Sequence, residues 1–172
     1  MKKLIILLTV LFSISVFGQT KDDRAYIVKV GEQAPNFSIK LTNGKVIKLS
    51  DMKGKTVMLQ FTASWCSVCR KEMPFIESDI WAKHKSNPNF TLLAIDRDEP
   101  LQTVIKFAKS IPVTYPFGLD PHADIFALYA VREAGITRNV IIDKTGKIVF
   151  LTRLYDVAEF NKMAKLIDSM LK

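Results

Sequence analysis

Phe61-Thr62-Ala63-Ser64-Trp65-Cys66-Ser67-Val68-Cys69-Arg70-Lys71-Glu72 contains both cysteines of a 172-residue chain. It follows a short apolar run, Val57-Met58-Leu59-Gln60-Phe61, of the kind that forms a buried central strand. A helix is expected from near Cys66 to about His84, with Met73, Ile76, Ile80 and Trp81 at helical spacing and Pro74 as a kink. The pair therefore stands between a strand and the start of a helix. A thiolate there meets unpaired backbone N–H groups and the positive end of the helix dipole, so its pKa falls below the free value of about 8.5. The spacing of three residues brings the second sulfur within bonding reach, where it can displace a partner from a mixed disulfide. Cys66 is the expected nucleophile and Cys69 the resolving thiol.

Working outward, Phe37–Leu41 and Val46–Leu49 alternate around Asn43-Gly44 and predict a β-hairpin. Phe90–Ile95 is the next strand, ending at Asp96, and Pro100 opens a helix with Leu101, Val104, Ile105 and Ala108 on one face. Asp120-Pro121 starts a short helix to about Tyr129. Asn139–Asp143 and Lys147–Thr152 form a second hairpin around Lys144-Thr145-Gly146. The last helix begins at Asp156, with Glu159 completing a variant capping box. Strand, crossover helix and strand imply a parallel pair, and the late hairpin adds antiparallel edges. The expected class is α/β, with a mixed central sheet, helices on both faces and an N-terminal β-hairpin extension.

Composition sets the outer limits. With 48% hydrophobic and 24% charged residues, the chain is one ordered domain rather than a disordered tail. Two cysteines exclude a disulfide-dense miniprotein and a four-cysteine zinc site. Lys2-Lys3, the apolar run Leu4–Phe12 and the small residues Val16 and Gly18 have the three-part layout of a secretory signal peptide. Its apolar run is shorter than the roughly 20 residues that span a bilayer, so no membrane insertion is expected once the leader is cut. No cysteine stands at the cut, which argues against a lipid anchor. The net charge of +8 becomes about +6 without the leader, and the basic residues are spread among acids along the chain. That pattern reads as a soluble basic surface and not as a nucleic-acid site.

Several stretches together resemble a known family. Trp65-Cys66-x-x-Cys69 resembles the thioredoxin-fold active site. Gly31–Phe37, Asn43–Lys45, Leu49–Lys55, Cys69–Pro74 and Ile141–Ile148 resemble the exported TlpA/ResA-type thiol–disulfide oxidoreductases of the redoxin superfamily. The leader is expected over 1–18 and an irregular lead-in over 19–29, and the resemblance implies one thioredoxin-like domain over 30–172. It implies an exported, periplasmic or otherwise extracytoplasmic bacterial enzyme that cycles Cys66–Cys69 between dithiol and disulfide. Its expected partners are oxidised extracytoplasmic proteins, apocytochromes c among them, and a membrane electron donor. No cofactor or metal is implied.

Three positions carry further expectations. Thioredoxins keep a buried aspartate where this chain has Gln60, while Glu72 matches an active-site glutamate of ResA-like members. Either Glu72 handles the proton of Cys69, or it is a solvated glutamate stabilised by the helix dipole. The family also places a cis-proline just before the strand ending in Ile-Asp, and here that position is Thr137. A cis bond before a non-proline costs about 2.5–4 kcal/mol, so a trans bond is expected. Trp65, Ile136, Thr137 and Arg138 are the expected substrate-docking residues, with the Thr137 hydroxyl and the Arg138 cation directed at the sulfurs. His84 and His122 read as surface residues, and Trp81 as core. Two other chemistries stay open on the cysteine pair. One is a Cu(I) thiolate carrier, which lacks a third sulfur. The other is a peroxiredoxin-type peroxidase, against which Ala63 stands where that site needs threonine.

Overall fold

The apolar run ahead of the cysteines extends to a strand over Thr56–Thr62, buried at all seven residues, and the fold is assembled around it. In the computed structural model, which describes residues 24–172, the elements follow in the order β1 (Ser38–Leu41), β2 (Val46–Lys48), β3 (Thr56–Thr62), α1 (Ser67–Ile76), α2 (Ala82–His84), β4 (Phe90–Arg97), α3 (Leu101–Ser110), β5 (Phe117–Asp120), β6 (Arg138–Ile142), β7 (Ile148–Arg153) and α4 (Val157–Met170). The expected leader over 1–18 lies outside the described residues. The seven strands form one sheet in the order β2-β1-β5-β4-β3-β6-β7. β3, β4 and β5 are parallel; the other pairings are antiparallel. This is the thioredoxin-like mixed sheet expected from the sequence.

Strand alternation sorts the side chains between two faces. Gln60 pairs in register with Asn139, and Phe61 with Arg138. Thr62 meets Met73 of α1, so Gln60, Thr62 and Asn139 look toward the motif helix. Phe61 looks the other way, onto the rings of Phe126 and Tyr129. That second face is covered by the 3-10 turn Phe126–Leu128 and by the lead-in, where Tyr26 bridges to Ala130 and the Tyr129 hydroxyl donates to the Pro35 carbonyl.

The helix expected over 66–84 is broken in an informative way. Pro74 has no N–H to give, and α1 ends two residues later at Ile76. The Glu77 N–H is shared between the carbonyls of Met73 and Pro74, and Glu77–Trp81 continues as a wider π turn before α2. The helix expected over 121–129 shrinks to the 3-10 turn, because the Asp120 carboxylate takes the N–H groups of Ile125 and Phe126. β5, unexpected from the sequence, joins the hairpin extension to the main sheet. At α4 only half of the capping box forms. The Asp156 carboxylate caps the Glu159 N–H at 2.8 Å, but Glu159 turns to Arg24 and the Arg153 N–H.

Candidate active site

Cys66 is the N-cap residue of α1, and its sulfur accepts the Cys69 N–H at 3.1 Å. The two cysteines are joined as a disulfide. Cys69 is fully buried and Cys66 is 6% exposed, so only the first sulfur can be approached from outside. The Thr137 hydroxyl stands 3.2 Å from the Cys66 sulfur and 3.4 Å from that of Cys69. Its peptide bond is trans, as are all peptide bonds of the described residues. When the pair is reduced, the backbone N–H and this hydroxyl offer two donors to a thiolate.

The loop ahead of Cys66 is held on every side. The Ser64 N–H and hydroxyl donate to the two carboxylate oxygens of Glu99, each at 2.5 Å, and the Ser64 carbonyl accepts from Arg70 at 2.7 Å. Asp96, fully buried at the end of β4, lies beside Glu99. Burial, then the negative charge of Glu99, pushes the Asp96 carboxyl up to about 8. Trp65 is 59% exposed, with the Arg97 guanidinium 6.0 Å from its ring.

Beneath the motif helix lies a buried polar layer. Glu72, on the same helical face as Cys69, accepts from Asn139 Nδ2 at 2.7 Å. Asn139 Nδ2 also donates to the Thr152 hydroxyl, and the Tyr115 hydroxyl donates to Gln60 Oε1 at 3.0 Å. Burial pushes the Glu72 carboxyl up to about 7, against the opposing pull of the Asn139 and Gln60 amides. A carboxyl in that range gains and loses its proton near neutral pH, as a group that accepts protons from a thiol must.

These features fit one chemistry, and the relatives of this chain share it. The family model described as Redoxin matches residues 29–167. The chain belongs to the Redoxin family. A thiol-disulfide oxidoreductase named ResA from Bacillus cereus is 35% identical over 122 residues, 71% of this chain and 68% of the relative. A solution structure from Bacteroides thetaiotaomicron, carried under the name protein disulfide isomerase, is 66% identical. It superposes with a TM-score of 0.84 over 86% of this chain and 92% of that one. A Chlorobium tepidum structure named for the thiol:disulfide interchange protein DsbE is 28% identical, with a TM-score of 0.74 over 84% of this chain and 99% of that one. The redoxin described here is a thiol–disulfide oxidoreductase of the thioredoxin-like class, with a Cys-x-x-Cys pair.

The redoxin fold gathers most of the residues singled out in the sequence. Trp65, Cys66, Ile136 and Thr137 line one groove. Arg138 is a correction. Its guanidinium lies 4.5 Å from the Tyr26 ring and 5.8 Å from Phe126, on the Phe61 face of the sheet, and not over the sulfurs. Alternation along β6 makes this unavoidable once Asn139 faces Glu72. Glu72 is 1% exposed, which removes the solvated alternative. Sequence reasoning missed Asn139, the Asp96–Glu99 carboxyl pair and Arg153. A polar residue inside an otherwise apolar strand was the available signal for Asn139, whereas Glu99 and Arg153 had no local signature.

Proposed function

We propose that this redoxin is exported behind the leader 1–18 and reduces disulfides of extracytoplasmic proteins, in the manner of a cytochrome c maturation reductase. The observation that carries the reading is the buried carboxyl of Glu72 beneath a cysteine pair of which only the first sulfur is reachable. The Cys66 thiolate attacks one sulfur of a substrate disulfide; that S–S bond breaks and the departing thiolate takes a proton from water. Glu72 takes the proton of Cys69, whose sulfur then attacks Cys66 in the mixed disulfide and releases the second substrate thiolate. Two electrons pass to the substrate, and the chain is left with its Cys66–Cys69 disulfide. A membrane-held dithiol resets it. Trp65, Ile136 and Thr137 border the reacting sulfur and are the proposed docking residues. No helix of the described residues is long and apolar enough to cross a membrane.

The deciding measurement is the Cys66–Cys69 reduction potential, from equilibration in defined thiol–disulfide buffers. A value near or below about −250 mV is expected for a reductant; one near about −120 mV would make the protein a disulfide donor instead. A pair that never closes reversibly would replace the exchange reading with the Cu(I) carrier.

A further inference from the structure

A groove of about 210 Å³ opens beside the disulfide, lined by Trp65, Val68, Ile136, Thr137, Arg153 and Leu154 among others. Most of this wall is apolar, and Arg153 is its one charged residue. Leu154 is 48% exposed and holds a left-handed backbone, φ +66, which a branched side chain adopts only under constraint. Its N–H donates to the Thr137 carbonyl at 3.1 Å, so this turn is tied to the residue beside both sulfurs. Arg153 precedes it at the end of β7. The Arg153 guanidinium lies against Gly135, where an added side-chain carbon would stand 2.3 Å from Nη2 and shift the guanidinium aside. Arg153 makes no ion pair among the described residues, and its buried Nη1 finds no hydrogen-bond partner there. Glu159, which accepts the Arg153 backbone N–H, spends its other oxygen on Arg24. Glu159 reaches only the backbone of Arg153, so the half-buried guanidinium makes no ion pair within the described residues and is left to pair with an anion from outside the chain.

We propose that this groove docks an extended substrate segment whose disulfide is flanked by aspartate or glutamate, the acid pairing with Arg153. Trp65 and Leu154 grip the apolar part of the segment, and Arg153 selects for acidic flanks over basic ones. The proposal rests on the reductase reading, since it names the substrates that the same site takes.

The test uses the pre-reduced protein and two peptide disulfides identical except for aspartate or lysine beside the cysteine. Second-order rates of peptide reduction are measured from low salt to 0.5 M NaCl, with neutral 2,2′-dipyridyl disulfide as a third substrate. The aspartate peptide is expected to react about fivefold faster than its lysine twin at low salt, with the ratio falling toward one as salt rises. The ratio collapses in Arg153→Met and persists in Arg153→Lys. A wild-type ratio near one, a ratio indifferent to salt, or one that survives Arg153→Met overturns the proposal; the salt series needs no variant to fold. Reduction of dipyridyl disulfide without charge preference sinks the docking proposal alone. Failure to reduce any of the three disulfides sinks the reductase reading with it.

Discussion

Thr137 sets a hydroxyl within 3.4 Å of both sulfurs, at the position where the family has a proline that could offer none. A donor there favours thiolate over disulfide, because a bonded sulfur is the poorer acceptor. Thr137→Val keeps the shape and removes the donor. A hydrogen bond to a charged group contributes about 1.5–3 kcal/mol, so the potential should fall by about 30–65 mV while the Cys66 pKa rises. Redox titration beside a pH series of Cys66 alkylation reads both, and an unchanged potential would show that the hydroxyl is spent elsewhere. Glu72 makes a second prediction, with a sign that can be worked out. Its carboxyl is raised to about 7, so ionising it in the fold costs stability that is absent below about pH 4, grows as pH rises and is complete above about pH 7. Glu72→Gln removes that cost. The variant should match the wild type near pH 4 and exceed it by up to about 3 kcal/mol at pH 8, by urea unfolding of the disulfide form. Its resolution of a Cys66 mixed disulfide should nonetheless be about 10²-fold slower, and should lose the rise in rate through pH 7. Glu72 and Thr137 were legible as positions in a known pattern. The direction of Arg138 was not, because it depends on which face Asn139 takes.

At the level of elements, the strands and helices that follow a clear period were legible: β3, β4 and α4 stand within two residues of their expected ends, and α3 starts directly after Pro100. What escaped has a physical reason in each case. β5 is four residues, Phe-Gly-Leu-Asp, with a glycine inside it, and no local pattern separates it from a loop. Tertiary packing decides it: Ile39 of β1 crosses directly over Gly118, where a side-chain carbon would fall 2.3 Å from the Ile39 Cδ1 and 2.8 Å from its Cγ1. Gly118→Ala should therefore displace the buried Ile39 side chain and destabilise the fold by about 1–3 kcal/mol in chemical denaturation. Pairing the change with Ile39→Val should recover part of the loss, as coupled neighbours do. The π turn after Pro74 escaped for another reason. A proline announces that a helix will be disturbed, but where the freed carbonyls find new donors depends on how the following residues pack. Trp81, placed in that turn, puts its indole N–H on the Thr114 hydroxyl at 2.9 Å and its ring against Phe90 and Tyr115.

Across the whole molecule, the lead-in belongs to the fold more than its irregular sequence suggests. Tyr26 and Val28 are buried, and the Tyr26 hydroxyl donates to the Thr152 carbonyl at 2.6 Å, tying residues before the hairpin to the far edge of the sheet. Such ties have no sequence period and become visible only in three dimensions. The seating of the disulfide has its own consequence at this scale. With Cys69 sealed under the motif helix, a visiting sulfur has one place to land, the Cys66 sulfur at the floor of the groove. In the proposed cycle, the dithiol that delivers electrons and the disulfide that receives them must then use the same doorway, one after the other. Initial-rate measurements with both present should give parallel double-reciprocal lines, and each should inhibit competitively against the other's form of the enzyme. An intersecting pattern would mean a second entrance. One visitor must leave before the other can enter, so a partner that docks too tightly at Cys66 holds up both.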